Sequence, residues 1–339
     1  MDKSHKIIFA FFVIFTSIGI HSCTNLLAPS ANLKNYNAYF TSDTNSVIPP
    51  GAVRVTFFGT TSLLFDDGET QIMIDGFFTR PSFLKVGVCK LKTDTNLINR
   101  VIKSQKINRL KGVFASHSHY DHVMDAAYLA KVTKATLYGS SSTLNVGRGE
   151  GLSENQMSQF NTEKEIRIGK FSVFIIKAKH SPQPKKIDSA GQEITHSIKQ
   201  PAKMKEYKEG GSFDLLIKYE GHSILVKSSC NYVEKALDSV KVDVFFMGIT
   251  GLVKKDSSFQ NNLYTQTVEK ISPSLIIPIH WDNFFKPLSR NLKAFPNFMN
   301  NTKANLDYII KRAKADKIEV KILQCYKSVL LFTETSKQE

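Results

Sequence analysis

Hydrophobic and polar positions divide the chain into an apolar run, a polar stretch and a long body with regular alternation. The run covers residues 7–20 and carries no charge. It is shorter than the roughly 20 apolar residues of a membrane-spanning helix, and a short run near a basic N-terminus is typical of a signal peptide. We therefore predict a signal peptide over residues 1–22. Residues 23–51 are rich in Asn, Ser, Thr and Pro, which predicts a flexible tether.

The body, residues 52–335, alternates between strand-like and helix-like patterns. Strands are predicted at 53–58, 62–65, 71–74, 112–115, 135–138, 165–168, 171–176, 213–219, 223–226, 242–247, 275–279, 318–323 and 329–332. Helices are predicted at 96–104, from about 121, at 264–271 and at 305–315. Because both kinds of element alternate in both halves, the pattern indicates a layered α/β domain. The polar segment Ser181–Gly211 predicts a long surface loop beside the functional site.

The residues that follow the apolar run are similar to the processing box of bacterial lipoproteins. In His21-Ser22-Cys23 a small residue precedes a Cys directly after the run. We therefore predict export, cleavage before Cys23 and lipid anchoring of Cys23 at the bacterial cell envelope, with the membrane surface as a partner. A plain secretory signal or an uncleaved anchor stays open, because His21 is unusual in such a box.

The net charge adds little to these expectations about fold and location. The chain has 45 Lys and Arg against 30 Asp and Glu, a net charge of +15, and only 8 of the basic residues are Arg. Proteins that read bases or clamp phosphates favour the bidentate Arg fork. The excess therefore predicts a Lys-rich solvated surface and no nucleic-acid partner, with an anionic membrane as a further possibility. The cysteines of the body form no CxxC pair, and the sequence does not select a disulfide.

A histidine cluster carries the chemistry. His117, His119, Asp121 and His122 lie within six residues, between an apolar strand and the start of a helix. His117 and His119 are two positions apart and share one side of an extended segment. Imidazole and carboxylate ligands at this density suit a divalent transition metal, above all zinc.

This motif, HxHxDH at a strand end, resembles the signature of the metallo-β-lactamase fold superfamily, and Ile74-Asp75-Gly76 is similar to its strand-end acidic turn. The resemblance covers about residues 52–333. It implies an α/β fold, a four-layer αββα sandwich, with metals at one edge of two packed sheets. It also implies that His117 and His119 hold a first metal, whereas Asp121 and His122 help to hold a second.

Two further ligands are implied downstream. His180 and His280 each follow an apolar strand and match the remaining ligands of the first and second metal. Asp75 and Asp282 are candidates for contacts that orient the metal-binding His, and turn stabilisation is an equally open role for both.

One position departs from the family. In the family an Asp bridges both metals. In this chain Ser228 and Ser229 stand at the matching place, and Ser229 is the possible substitute. A neutral hydroxyl is a weaker metal ligand than a carboxylate. Three alternatives follow. The site holds two metals with a lower affinity for the second, it works with a single metal, or it has lost catalysis. Cys230 as a thiolate ligand and Cys230 as a buried free thiol both stay open.

The resemblance implies a metallohydrolase that uses metal-bound hydroxide on an ester, lactone or phosphodiester, with Asp121 as a metal ligand and catalytic residue that orients the water. The pattern is nearest to the lactonase and N-acyl-phosphatidylethanolamine phospholipase D-like group, which favours a small-molecule or lipid-like substrate. We expect one or two Zn²⁺ per chain, with Fe or Mn open. A single-iron oxidoreductase and a non-catalytic surface binding protein are the alternatives, and the oligomeric state is open.

Overall fold

The computed structural model describes residues 28–43, 47–183 and 189–333. The predicted signal peptide and Cys23 lie outside this part of the chain, as do the last residues of the predicted body. Within it, no helix combines the length and the apolar character that crossing a bilayer requires.

Sixteen strands are found in the described residues: β1 Val53–Phe57, β2 Leu63–Asp66, β3 Gln71–Ile74, β4 Lys90–Leu91, β5 Leu110–Phe114, β6 Thr136–Gly139, β7 Met157–Gln159, β8 Ile166–Ile168, β9 Phe171–Ala178, β10 Ala202–Lys203, β11 Ser212–Tyr219, β12 His222–Lys227, β13 Val244–Gly248, β14 Leu275–Ile279, β15 Glu319–Val320 and β16 Lys327–Leu331. They form one seven-stranded sheet in the order β16-β1-β2-β3-β5-β6-β7 and another in the order β15-β14-β13-β12-β11-β9-β8. β4 and β10 pair separately.

The α-helices of the described residues are α1 Phe83–Val88, α2 Thr95–Ser104, α3 Tyr120–Val123, α4 Ala126–Thr133, α5 Ser141–Glu150, α6 Ser257–Tyr264 and α7 Thr302–Ala315. A π-helical turn, Thr265–Glu269, continues α6. Short 3₁₀ turns lie at Leu33–Tyr36, Glu154–Gln156, Met204–Glu206 and Leu252–Lys254.

The two large sheets pack face to face. Phe65 of β2 and Phe246 of β13 meet edge to face, with ring centroids 5.9 Å apart. Strands β3, β13 and β14 are buried at every position, as expected of strands covered on both faces. Helices supply the outer cover, with buried Leu129 of α4 outside the first sheet and buried Leu306 of α7 outside the second. The predicted four-layer αββα sandwich is therefore confirmed.

Helix α5 was not predicted from the sequence, and tertiary packing explains its formation. Its sequence contains two glycines, which disfavour a helix interior. At Gly149 a Cβ atom would lie 1.8 Å from the carbonyl oxygen of Ile198, so only glycine permits this close approach of the loop. The Ser140 side chain caps the first turn by accepting from the backbone N–H of Thr143. Long-range contact therefore outweighs the weak local propensity.

The prediction of a flexible tether over residues 23–51 is corrected for residues 28–43. Tyr36 is only 5% exposed, and its hydroxyl donates to Asp307 Oδ1 in α7 over 2.7 Å. Pro29 forms a bridge with Pro296, and Phe40 forms one with Ile322. Burial of isolated apolar side chains within a polar sequence holds this segment on the second half of the domain.

Residues 181–183 and 189–211, the described part of this polar segment, are more closely packed than their composition suggests. Ile194, Ile198 and Tyr207 are buried against the helices outside the first sheet. Glu209 is also buried, and its carboxylate accepts hydrogen bonds from Gly191 N and Ser212 Oγ, both at 2.7 Å. These contacts hold the segment beside the ends of β5 and β9.

A buried carboxylate ties the segment after β3 to α4. Asp125 is fully buried, and one of its oxygens accepts from the backbone N–H groups of Phe78 at 2.8 Å and Thr79 at 2.6 Å. Burial raises the pKa of Asp125 to about 6, although these hydrogen bonds act in the opposite direction.

Replacing Asp125 with Ala should leave two N–H groups in the interior without an acceptor. Each such loss costs about 1–3 kcal/mol, so we expect the free energy of unfolding in urea to fall by about 2–5 kcal/mol. Asp125→Asn keeps an oxygen at the accepting position and is the matched control, with a loss less than half as large. Equal losses in both variants would contradict the role of these two hydrogen bonds.

Candidate metal centre

The predicted metal ligands meet at one edge of the sandwich. Strands β3 and β5 run parallel, and His117 follows β5. His180 follows β9 and His280 follows β14. β9 and β14 also point in the same direction, because β9 and β12 both run antiparallel to β11, and β12, β13 and β14 run parallel. The carboxyl ends of these strands therefore bring distant parts of the sequence together.

His117, His119 and His180 form a first group, with one nitrogen of each ring within 4.8 Å of the others. His119 Nδ1 lies 3.2 Å from His180 Nε2. His117 is 1% exposed, and its Nε2 has no hydrogen-bond partner among the described residues. A buried imidazole nitrogen without a partner is costly unless it binds a ligand.

Asp121, His122 and His280 form a second group under the same distance limit. The Asp121 carboxylate lies 3.5 Å from His122 Nε2 and 3.7 Å from His280 Nε2. The two groups are adjacent, because the ring centroids of His117 and His122 are 3.7 Å apart. The structure therefore brings all six predicted ligands into one cluster.

Electrostatics keeps most of these imidazoles neutral, as metal binding requires. Burial, reinforced by His180, lowers the pKa of His119 to about 3. Burial, reinforced by His122, lowers the pKa of His280 to about 3. Burial also lowers the pKa of His117 and of His180. The donor set of five imidazoles and one carboxylate thus fits a borderline divalent metal such as zinc.

Asp75 orients His122. Its Oδ2 lies 2.8 Å from His122 Nδ1, and its Oδ1 accepts from the backbone N–H of Ser116 at 2.7 Å. Thr61 Oγ1 donates to the same carboxylate. With Nδ1 donating to the carboxylate, Nε2 of His122 is left free to bind a metal. Burial alone lowers the pKa of His122, but Asp75 and then Asp121 raise it above the ordinary value.

Asp282 has a different contact pattern from that of Asp75. Its Oδ2 accepts from Arg80 at 2.7 Å, and its Oδ1 accepts from Thr60 N at 2.7 Å. No direct hydrogen bond to a His of the cluster is found for it in the described residues. It reaches His280 only through the backbone, since His280 N donates to Thr60 O at 2.5 Å. Of the two roles left open for Asp282, these contacts favour stabilisation of the turn beneath His280.

Three residues of the site adopt left-handed backbone conformations. Thr60, Asp75 and His280 have φ of 52°, 56° and 56°. This region is unfavourable for residues with a Cβ atom, and such strain concentrates at functional sites. The surrounding hydrogen bonds hold these residues at the sheet edge.

The serines at the predicted bridging position follow β12 and are buried. Ser228 Oγ has no hydrogen-bond partner among the described residues. Asp121 is the one carboxylate in the two groups found there. Cys230 belongs to neither group, and burial raises the pKa of its thiol to about 12. The geometry favours the buried free thiol for Cys230, since its sulfur is not among the ligand atoms of either group.

Sequence reasoning missed several partners of the histidines. Ser189 Oγ lies 2.7 Å from His119 Nε2, and Thr250 Oγ1 lies 3.3 Å from His280 Nδ1. Both stand in loops without a motif, so no local pattern marks them. Ser116, whose backbone N–H donates to Asp75, directly precedes the HxHxDH motif. Its position beside the motif is the one feature of the sequence that could have marked it as part of the site.

Comparison with known proteins agrees with this geometry. Residues 55–198 match the family described as the metallo-beta-lactamase superfamily. A UPF0173 metal-dependent hydrolase of Heliobacterium modesticaldum is 32% identical over 106 residues, which span 31% of this chain and 37% of that relative. The match thus covers little more than a third of the relative's length.

Two solved structures share the fold. Igni18, a metallo hydrolase from the archaeon Ignicoccus hospitalis, aligns with a TM-score of 0.53 and 16% identity over 84% of this chain and 100% of its own. CmlA, a diiron beta-hydroxylase from Streptomyces venezuelae, aligns with a TM-score of 0.51 and 11% identity over 84% of this chain and 55% of its own. At these identities the likeness shows the metallo-β-lactamase fold alone, as the sequence predicted.

The different contacts of Asp75 and Asp282 allow their roles to be separated by mutation. Asp75→Asn should weaken zinc affinity by about 10–100-fold, because contacts that orient a ligand typically contribute this much. Asp282→Asn should instead lower the free energy of unfolding by about 3–5 kcal/mol, since it leaves Arg80 charged and buried without its partner. Zinc titration calorimetry and urea denaturation measure the two effects. Undiminished zinc affinity in Asp75→Asn would contradict the orienting role.

Proposed function

Because residues 55–198 match the metallo-beta-lactamase superfamily and the chain has its fold, we propose that the protein is a metal-dependent hydrolase. The observation that carries the proposal is the cluster of six His and Asp side chains in two adjacent groups at one sheet edge. The name of the Heliobacterium relative supports the same class of reaction.

Each group would hold one metal. His117, His119 and His180 present three imidazole nitrogens to a first ion, and Asp121, His122 and His280 present a carboxylate and two imidazoles to a second. When bound, zinc supplies a Lewis acid and lowers the pKa of a coordinated water towards neutrality. We propose one or two zinc ions per chain.

Asp121 is the proposed catalytic residue. Its side chain lies in the second group, 3.7 Å from His280 Nε2 and 3.5 Å from His122 Nε2. A carboxylate there accepts a proton from the attacking water and holds that water in line with the scissile centre. Asp75 supports this arrangement by fixing the ring of the neighbouring His122.

The open space beside the first group favours an anionic or lipid-like substrate. A cleft of about 520 Å³ borders His180, with Lys177 and Lys179 among its basic lining residues and Phe213 among its apolar ones. Cationic and apolar lining together suit an ester, lactone or phosphodiester with an apolar part. This lining supports the substrate classes inferred from the sequence. We propose that the enzyme acts on them at the cell envelope, where a lipidated Cys23 would tether it.

Metal identity separates hydrolysis from its alternatives. The structural likeness to a diiron beta-hydroxylase indicates that this fold can also carry iron-dependent oxidation. A single bound iron in this chain would favour an oxidoreductase, whereas absence of metal would favour a surface binding protein with a degenerate site.

We expect purified protein to contain about two zinc ions per chain and to hydrolyse members of a panel of phosphodiesters, phospholipids and lactones. Elemental analysis and turnover measurements test this. Chelation should abolish turnover and added zinc should restore it. His117→Ala, which removes a ligand of the first group, should lower kcat/KM by at least about 100-fold. A metal-free protein, or a zinc-loaded protein without turnover on the whole panel, would overturn the proposal.

The serines after β12 predict a weak second metal that a carboxylate should strengthen. Ser229→Asp is expected to raise the affinity for the second zinc on the order of tenfold, because a carboxylate is a much better ligand than a hydroxyl. Ser228→Asp is the matched comparison on the adjacent residue. Stepwise zinc titration measures the change. If Ser228→Asp alone strengthens the second site, Ser228 and not Ser229 occupies the bridging position; if neither does, the position does not bridge.

A further inference from the structure

Helix α1 presents apolar side chains to solvent. Phe83, Leu84 and Val88 are 53%, 75% and 76% exposed. They are half of the large hydrophobic residues exposed among the described residues, and they lie within six consecutive positions. Val86 is the one buried residue of the helix. Apolar side chains clustered at this density on a protein surface mark a contact site more often than isolated ones do.

Basic side chains surround this apolar face. Lys85 belongs to α1, and Lys90 and Lys92 follow it closely. Together with Arg100 they line a cleft of about 560 Å³, in which Asp94 is the one carboxylate. Arg80 also borders this cleft, but its guanidinium is buried and paired with Asp282. From Gly76 to Thr93 the sequence contains no Asp or Glu. The face is thus apolar at its centre and cationic around it.

Aromatic side chains connect this face to the candidate metal centre. The rings of Phe83 and Phe285 meet edge to face with centroids 5.3 Å apart. Phe285 contacts Phe284 at 4.6 Å, and Phe284 contacts His280 at 5.4 Å. Phe284 and Phe285 are half-buried, so the apolar surface continues from exposed α1 to a ligand of the second group.

We propose that α1 and the basic cleft form a docking surface for an anionic lipid bilayer. Phe83, Leu84 and Val88 enter the boundary between headgroups and acyl chains, as the apolar face of an interfacial helix does. Lys85, Lys90 and Lys92 contact headgroup phosphates. Docking in this way turns the aromatic path and the His280 side of the metal centre towards the membrane.

Charge complementarity selects the bilayer over a second copy of this chain. In a symmetric dimer the same patch faces itself, so the cations of α1 and its cleft would be brought against identical cations. Three apolar side chains also bury far less than the roughly 800 Å² per partner of a stable interface. An anionic membrane, by contrast, neutralises the cations and accepts a small apolar insertion.

The proposal deepens the proposed function by naming a membrane lipid as the substrate class, and only that part rests on the protein being a hydrolase. Docking itself depends on the surface alone. Vesicle docking and turnover on the panel of phosphodiesters, phospholipids and lactones therefore test the two ideas separately.

Cys89 provides a reporter in the full-length chain. It is exposed and directly follows α1, whereas Cys230 and Cys325 are buried. In a Cys23→Ser background, an environment-sensitive dye on Cys89 should shift to shorter wavelength when vesicles of phosphatidylcholine with about 30% phosphatidylglycerol are added. Brominated acyl chains should quench it. Pure phosphatidylcholine vesicles should produce a much smaller shift, and rising salt should reverse the shift.

Matched variants test which side chains dock. Phe83→Asp with Leu84→Asp should abolish the shift, whereas Val132→Asp, at a position 41% exposed on α4, should retain it. Each of Lys85→Glu, Lys90→Glu and Lys92→Glu should lower the ratio of docked to undocked protein by about fivefold or more, since each basic residue near an anionic surface contributes about this factor. Circular dichroism of each variant checks that the fold is intact.

Three results would overturn docking on a bilayer. In the first, the dye on Cys89 stays in water although the protein sediments with vesicles. In the second, the wavelength shift appears without lipid when the protein concentration rises. In the third, the dye is already shielded without vesicles, and deletion of residues 7–20 exposes it. The second result indicates a second copy of the chain on α1, and the third indicates the apolar N-terminal run. Docking without turnover on the whole panel of phosphodiesters, phospholipids and lactones would overturn the hydrolase and retain the docking surface.

Discussion

The carboxylate of Asp75 at the end of β3 is the interaction on which the candidate centre depends. It accepts hydrogen bonds from Ser116 N at the end of β5 and from Thr61 Oγ1 in the turn between β1 and β2, and it contacts His122 in the adjacent helix. One buried group therefore joins three separate chain segments. Without a carboxylate at this point, several buried donors would lose their acceptor, and an unpaired donor in the interior costs about 1–3 kcal/mol.

A second constraint is the density of imidazoles at the same edge. The His117 and His122 rings lie 3.7 Å apart, and His119 contacts His180. Burial and mutual repulsion disfavour their charged forms, so the cluster consists largely of neutral rings. Such an arrangement is poor as a purely structural core, because it buries His117 Nε2 without a partner among the described residues. It is well suited to divalent metal, and this is why we infer hydrolysis and not a structural role.

The apolar face of α1 extends the same arrangement outwards. Phe284 contacts both His280 and Phe285, and Phe285 contacts Phe83 at the surface. The metal-centre edge and the proposed docking surface thus belong to one continuous region. An enzyme that acts on a lipid-like substrate gains from such continuity, because the apolar part of the substrate stays out of water on its way to the reacting atoms.

The sequence by itself determined the layered α/β class, most strand positions and the six histidine and aspartate candidates, because strand periodicity and the HxHxDH spacing are local patterns. It did not predict α5, whose glycines form a helix only where Ile198 packs against Gly149. Nor did it separate Asp75 from Asp282, since both follow apolar strands and only the fold places Arg80 beside one and His122 beside the other. The packing of residues 28–43 and the partners Ser189 and Thr250 were likewise decided by tertiary structure. In each case the deciding contact joins residues far apart in the chain, and local pattern carries no information about which distant groups will meet.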